Sequence, residues 1–233
     1  MKTKLTTSII ALFILLGFSQ CYRDFGPVTS NQIAVSGFSG VQLQGSADVY
    51  LTQGPYYEVI IEGYEEALQN YRFYLRGGDL IIDQQGWGGG GRTEIYITMP
   101  AIQYLSAQGS GDIISQNTLT GRQQLQLSVQ GSGNLDLGLD VREVRLDMEG
   151  SGDVYLEGFS NTQRTSMYGS GNYHGYNLST NRSTVTIHGS GNAEIYAYDQ
   201  LDATIRGSGN IYYQGFPYVY YDITGSGDLY DMN

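Results

Sequence analysis

Residues 146–156 have the sequence LDMEGSGDVYL, and this short stretch decides the fold of the whole chain. Its Gly-Ser-Gly-Asp segment recurs, with Asp or Asn in the last position, at intervals of 18 to 22 residues. A period of this length is typical of solenoids, propellers and other repeat architectures. The seven copies begin at Gly109, Gly131, Gly150, Gly169, Gly189, Gly207 and Gly225.

The residues on both sides of each copy alternate between apolar and polar. Two positions before the first glycine every copy has an apolar residue, such as Met148, and the position before that is polar, as at Asp147. Four positions after the same glycine an apolar residue returns, as at Val154. Because alternation with a period of two indicates a half-buried strand, each repeat predicts a strand, a glycine turn and a second strand.

Two all-β arrangements contain that unit: an antiparallel meander of hairpins and a parallel β-helix. Independent hairpins tolerate many turn sequences. Coils stacked about 4.8 Å apart instead need the same bend in every layer, with glycine wherever a side chain would meet the neighbouring coil. The near-identical turns therefore predict a right-handed parallel β-helix of roughly ten coils, with 18 to 22 residues per coil. The Asp or Asn that ends each turn can cap amides or form a ladder between coils.

The first 21 residues have the order of a secretory signal. Lys2 and Lys4 precede an apolar run from Ile9 to Phe18, and the single cysteine, Cys21, follows it. Ten apolar residues are too few to cross a bilayer, which takes about 20, so the run indicates export. A cysteine at this position predicts a lipoprotein whose acylated Cys21 is the membrane anchor. Cleavage after residues 17–19 (Gly-Phe-Ser) would instead leave Cys21 as a free thiol.

These observations predict the division of the chain. We expect residues 1–20 to be a signal peptide, residues 21–32 a tether, and residues 33–233 a single β-helix domain. Within the domain, residues 109–233 are expected to form the regular coils and residues 33–108 irregular N-terminal coils. The latter contain a degenerate turn, Gly45-Ser46-Ala47-Asp48, which lies 64 residues before Gly109. That interval has room for about three coils without the turn signature.

The charge of the chain excludes nucleic-acid binding as its function. The chain has 12 Lys and Arg against 23 Asp and Glu, a net charge of −11, and its only lysines are Lys2 and Lys4. Beyond residue 20 there are therefore 10 Arg against 23 acidic residues, a net charge of −13. DNA and anionic lipid headgroups would repel such a surface.

Several segments outside the turns resemble one family of exported bacterial proteins. With the Gly-Ser-Gly copies, they make residues 33–233 similar to the putative auto-transporter adhesin, head GIN domain family. The resemblance implies a β-helix-like fold and export from Bacteroidetes-type bacteria, often as a lipoprotein, and it brings no catalytic motif. The segments are Phe38-Ser39-Gly40-Val41, Val59-Ile60-Ile61-Glu62-Gly63, Gly78-Asp79-Leu80-Ile81-Ile82 and residues 201–217.

The best catalytic candidates of the chain precede the turns. Glu149, His188 and Arg206 occupy this position in three copies, with Tyr168 between the first two. In stacked coils these residues would lie above one another on an outward-facing side of the solenoid. Such groups in a groove could support acid–base chemistry of the polysaccharide-lyase type. An exposed column of any solenoid collects polar residues, so a solvated face is the competing interpretation.

No metal site is expected at the turns. Gly-Ser-Gly-Asp is similar to the nonapeptide that binds Ca²⁺ between coils. Here, however, the period is about twice as long, and four of the seven copies have Asn instead of Asp.

A second outward-facing column is formed by the residues that lie five positions after the first glycine of each turn. Its aromatic rings could stack against sugars, and its carboxylate and imidazole groups could bind hydroxyls. Aromatic residues on adjacent strands also stabilise a sheet by roughly 0.2–1 kcal/mol per pair, so a packing ladder is the alternative. The candidate ligand-binding residues are Tyr155, His174, Glu194, Tyr212 and Tyr230, and the same column includes Tyr50, Ile114 and Asp136.

The sequence thus predicts a non-enzymatic, adhesin-like protein of the cell envelope, expected to be an outer-membrane lipoprotein. It would act as a binding or structural module without a cofactor. Its expected partners are the membrane, through the lipid anchor, and a glycan or another cell-surface ligand. The alternatives are a carbohydrate-active β-helix enzyme and a carbohydrate-binding module without turnover.

Overall fold

The computed structural model describes residues 26–86 and 91–233, which form seventeen strands and one short helix. The helix α1 (Glu65–Leu68) packs against the end of the strand that precedes it. The strands are β1 (Val28–Gln32), β2 (Gly40–Gly45), β3 (Asp48–Gln53), β4 (Glu58–Tyr64), β5 (Tyr71–Arg76), β6 (Asp79–Gln84), β7 (Glu94–Met99), β8 (Tyr104–Gly109), β9 (Ile113–Ser115), β10 (Leu119–Gly131), β11 (Leu135–Gly150), β12 (Val154–Met167), β13 (Tyr173–Ile187), β14 (Ala193–Ile205), β15 (Ile211–Gln214), β16 (Tyr218–Ile223) and β17 (Leu229–Asp231).

The coils stack through two ladders of parallel strands, one on each side of the turns. The first ladder contains β2, β8, the second halves of β10 to β14, and β16. The second ladder contains β3, β9, the first halves of β11 to β14, β15 and β17. The parallel β-helix predicted from the identical turns is therefore confirmed.

The core is formed by equivalent side chains stacked on one another. The residues two positions before the turns pair in register from coil to coil, and all of them except Ile223, in the last coil, are at most 3% exposed. Each column of this kind removes apolar surface from water, which stabilises the fold by roughly 25 cal/mol per Å². The alternation in the sequence therefore identified the inward face correctly. This column includes Val129, Met148, Met167, Ile187 and Ile205.

Glycine is required at the turns because successive coils touch there through their backbones. Gly150 has a φ of +144°, and a Cβ on it would overlap the carbonyl oxygen of Gly131. The same oxygen accepts hydrogen bonds from the N–H groups of Ser151 at 2.8 Å and Gly152 at 3.1 Å. Since equivalent contacts recur in the following coils, the turn sequence must repeat with them.

The N-terminal coils differ from the expectation. β2 pairs with β8 on one side and with β6 on the other, so no coil lies between the degenerate turn at Gly45 and the turn at Gly109. The intervening residues form β6 and β7 as an outer layer, and β1, β4 and β5 extend that layer in antiparallel pairing. The solenoid has about seven turns, so the prediction of ten was wrong. The residues that were expected to form three coils instead form strands that cap one end of the solenoid.

The predicted end of the tether at residue 32 does not agree with the strand pairing. Val28–Gln32 forms β1 and pairs with β4, so this part of residues 21–32 belongs to the folded domain. Cys21 and the predicted signal peptide lie outside the described residues. Within the described ranges, no helix has the length and apolar character needed to cross a membrane.

Candidate functional site

The candidate ligand-binding residues lie on consecutive strands of the second ladder. Tyr155 pairs with His174, which is followed by Glu194, Tyr212 and Tyr230. In the other direction the same register continues to the capped end of the solenoid. We call these residues the outer column: Tyr96, Tyr50, Ile114, Asp136, Tyr155, His174, Glu194, Tyr212 and Tyr230.

Six residues of the outer column form three stacked ring pairs. The ring centroids are 5.2 Å apart in the Tyr50–Tyr96 pair, 4.5 Å in the Tyr155–His174 pair and 5.1 Å in the Tyr212–Tyr230 pair. The interplanar angles are 18°, 9° and 14°. Stacking of this kind stabilises adjacent strands. Ile114, Asp136 and Glu194 lie between the pairs, so ring stacking is not continuous along the column.

His174 is held by a carboxylate on the next strand. Its Nδ1 lies 3.0 Å from Oε2 of Glu194, and both side chains are about one-third exposed, at 33% and 34%. This contact orients the imidazole beside the Tyr155 ring. Tyr176 lies beside the pair. The pKa of its phenol is raised, mainly by burial and to a smaller extent by the charge of Glu194. The phenol of Tyr176 therefore stays protonated at neutral pH and can donate a hydrogen bond.

A bulge in β13 places additional side chains next to the outer column. Gly175 pairs with Ile195 and Ser179 with Tyr196, so three residues of β13, residues 176–178, have no partner on β14. The last of them, Leu178, is buried in the core, whereas Tyr176 and Asn177 line a surface depression of about 350 Å³. Bulges commonly direct side chains toward functional sites.

We call this space the bulge depression. Besides Tyr176 and Asn177, it is lined by Tyr155, His174 and Glu194 of the outer column. Asp136, Leu156 and Glu157 complete the lining. The depression therefore combines aromatic rings with phenol, amide and carboxylate groups, which is the combination that small polar ligands require.

The catalytic candidates are less closely associated. Tyr168 and His188 stack at 4.8 Å with an interplanar angle of 2°, so the expected column exists. Glu149, near the end of β11, and His188, which directly follows β13, are however two coils apart, about 10 Å at one strand spacing per coil. In the described part of the chain, no hydrogen bond or ion pair joins Glu149, His188 and Arg206. These three residues are exposed and do not form an acid–base pair.

The Asp and Asn residues of the turns form a continuous ladder. Asn172 donates its backbone N–H to Oδ1 of Asp153 at 2.7 Å, and Asn192 repeats the bond to Oδ1 of Asn172 at 3.1 Å. The bonds extend from Asp112 to Asp228. The side chains are thus used as structural acceptors between coils. Among the described residues, no three His, Cys, Asp or Glu side chains are grouped as metal ligands.

Two features of the site were not predicted from the sequence. Tyr96 joins the outer column because β7 stacks beyond β3, and nothing in the local pattern of residues 94–99 indicates that neighbour. The bulge has a weak signal in the repeat length. The interval from Gly169 to Gly189 is 20 residues, longer than the 19 before it and the 18 after it.

Comparison with known proteins agrees with the motifs in the sequence. Residues 37–217 match the family described as "Putative auto-transporter adhesin, head GIN domain". No curated protein matches the chain. A solved putative adhesin from Bacteroides fragilis has a TM-score of 0.82 and 24% identity, covering 88% of this chain and 97% of its own.

Two further solved structures have the same architecture. A putative lipid binding protein from Parabacteroides distasonis has a TM-score of 0.76 and 22% identity, covering 89% of this chain and 98% of its own. A putative adhesin from the same species has a TM-score of 0.69 and 21% identity, with the same coverage of 89% and 98%. At these identities the similarity establishes a common fold. Since the family match spans most of the solenoid, the chain belongs to the putative auto-transporter adhesin, head GIN domain family.

Proposed function

We propose that this protein is a non-enzymatic, adhesin-like binding module of the cell envelope, with the outer column as its ligand-binding face. The observation that carries the proposal is the alignment of Tyr155, His174 and Glu194 beside the bulge of β13. It places rings, an imidazole, a carboxylate and an amide around one open depression. A flat apolar surface next to hydrogen-bonding groups is suited to a glycan on a cell surface.

The proposal includes export and anchoring through Cys21 to the outer membrane. The order of residues 1–21 supports export, and β1 begins at Val28, only seven residues after Cys21. Within the described residues β1 pairs with β4 alone, at the capped end of the second ladder. An acylated Cys21 would therefore hold this end at the membrane and leave the outer column accessible along the side of the solenoid.

The anchor is tested by Cys21→Ser. We expect this variant to appear in the soluble fraction or to remain unprocessed, whereas the native protein partitions with membranes. A native N-terminus at Gln20 without a lipid would contradict the anchor and leave the binding face as a separate hypothesis.

Binding is tested by combining Tyr155→Ala with Tyr212→Ala. We expect the double variant to lose retention on glycan arrays and adhesion to whole cells. Because each change removes one partly exposed ring stack, the free energy of unfolding should fall by only about 0.5–2 kcal/mol. Tyr168→Ala is the matched control, since Tyr168 is 57% exposed and stacks on His188 outside the outer column. Unchanged adhesion in the double variant, with a lower melting temperature, would make the outer column a packing feature.

The non-enzymatic part of the proposal has its own assay. Glu149 and His188 lie two coils apart, too far to act on one proton, so incubation with polysaccharides should release no unsaturated sugars. Product that accumulates with the native protein and is absent with His188→Ala would instead favour the lyase alternative.

A further inference from the structure

A second depression adjoins the bulge depression on the other side of the Tyr155 ring. Asp136 on β11 is a short side chain between Ile114 on β9 and Tyr155 on β12. Because neighbouring strands are about 4.8 Å apart, Ile114 and Tyr155 are separated by about 10 Å with little side chain between them. We call this gap the notch. It has a volume of about 240 Å³, and its remaining lining includes Asp112 and Asp153.

One face of the Tyr155 ring is directed toward the notch. The opposite face is covered by His174, whose ring is stacked on it at 4.5 Å and nearly parallel. Tyr155 is 44% exposed, so the face above Asp136 is accessible to a ligand. An accessible phenol face attracts sugar C–H groups through apolar contact and ammonium groups through its quadrupole.

The charge around Tyr155 restricts the ligand. Asp136 and Glu157 are exposed and have no hydrogen bond or ion pair within the described part of the chain, whereas Asp112 and Asp153 each use Oδ1 in the turn ladder. Of the described residues that line the two depressions, none is Arg or Lys. An anionic sugar would therefore be repelled, and a cationic group would gain attraction from carboxylates on both sides of the ring.

We infer, building on the proposed function, that the notch and the bulge depression bind adjacent units of an oligosaccharide with free amino groups, of the glucosamine type. A sugar ring stacks on the accessible face of Tyr155, and its ammonium group pairs with Asp136 or Glu157. Tyr176 and Asn177 supply hydrogen bonds to the hydroxyls of the unit in the bulge depression. These two polar groups favour a saccharide over a basic peptide.

The charge is tested with two ligands that share a backbone. Calorimetric titration of the purified protein with a β-linked glucosamine trimer should show binding, and its fully N-acetylated counterpart should bind about tenfold more weakly or not at all. A galacturonate trimer should not bind. Equal affinity for the acetylated trimer would overturn the cationic assignment. A lysine tripeptide that binds as tightly as the glucosamine trimer would overturn the saccharide assignment.

The location is tested with two variants and a control. Asp136→Asn keeps the shape of the notch and should weaken binding of the glucosamine trimer about fivefold, and Tyr155→Ala should weaken it more than tenfold. Asp222→Asn removes an equivalent exposed charge on β16, in the first ladder, and should have no effect. Unchanged affinity in both site variants would place the ligand elsewhere. If no trimer binds while Tyr155→Ala with Tyr212→Ala still abolishes adhesion, the amino-sugar inference fails and the proposed function stands.

Discussion

Replacing a turn glycine with alanine tests whether the coils touch through their backbones. Gly189 does not have a positive φ, so alanine there would introduce no backbone strain of its own. Its Cβ, however, would overlap the carbonyl oxygen of Gly169 and lie 2.8 Å from the carbonyl carbon and 3.0 Å from the nitrogen of the same residue. Because the contacting atoms are backbone atoms, which cannot rotate away as a side chain can, the two coils would have to separate.

The cost follows from the bonds that this separation weakens. The Gly169 oxygen accepts hydrogen bonds from Ser190 at 3.0 Å and Gly191 at 3.4 Å. Their loss costs about 1 kcal/mol each, and overpacking adds roughly 1–3 kcal/mol. We therefore expect Gly189→Ala to lower the free energy of unfolding by about 3–5 kcal/mol. In a domain of about 200 residues this corresponds to a fall in melting temperature of roughly 6–20 °C.

Urea unfolding followed by circular dichroism measures this effect, and Gly138→Ala is the matched control. The nearest atom to a Cβ on Gly138 is Oε1 of Glu157 at 3.6 Å, an ordinary contact. This control should be neutral or slightly stabilising, by about 0.4–1 kcal/mol, because alanine restricts the unfolded chain. Equal unfolding midpoints for the two variants would refute backbone contact at the turns.

Two further predictions concern the ladder and the core. Asn192→Ala removes the acceptor of the Asn210 N–H at 3.0 Å and should lower the free energy of unfolding, measured in urea, by about 1–3 kcal/mol. The control Asn181→Ala loses one exposed hydrogen bond and should lower it by less than about 0.5 kcal/mol. Equal losses of stability in the two variants would contradict the ladder. Burial raises the pKa of the Tyr173 phenol, and the side chain of Gln163 offsets part of this effect. The contribution of Tyr173 to stability is therefore complete below about pH 10, the pKa of tyrosine in the unfolded chain, and declines at higher pH by up to about 1.4 kcal/mol per pH unit. Tyr173→Phe should flatten this decline, and identical alkaline unfolding curves for the variant and the native protein would show that Tyr173 ionises freely in the folded state.

The regular half of the fold and the alignment of the outer column could be predicted by counting residues from the turns. Each turn glycine lies directly on the backbone of the previous one, as Gly150 does on Gly131. A residue at a fixed distance from the glycine must therefore lie above its counterpart. This is why Tyr155, His174 and Glu194, each five positions after a turn glycine, were identified as neighbours.

Counting fails where a coil changes length. The one extra residue between Gly169 and Gly189 shows that the coil is longer, but it does not show where the chain bulges. In the structure the bulge follows Gly175, where the Tyr173 side chain leaves no room for a Cβ, and residues 176–178 have no partner on β14. The wall of the bulge depression, and with it the site proposed for the amino sugar, is therefore a result of tertiary packing.

The sequence by itself determined the solenoid, its inward face and the register of its regular coils, because these depend on turns and alternation within one repeat. Only the tertiary structure decided the order of the first layers. β6 and β8 place apolar residues at the same register positions, Leu80 and Ile82 in β6 and Leu105 and Ala107 in β8, and β2 buries Val41 and Leu43 between the two strands. Local pattern does not reveal which strand covers which edge, since either neighbour would bury the same side chains. The choice is made by the cap as a whole, whose strands must pair and cover the end of the core together.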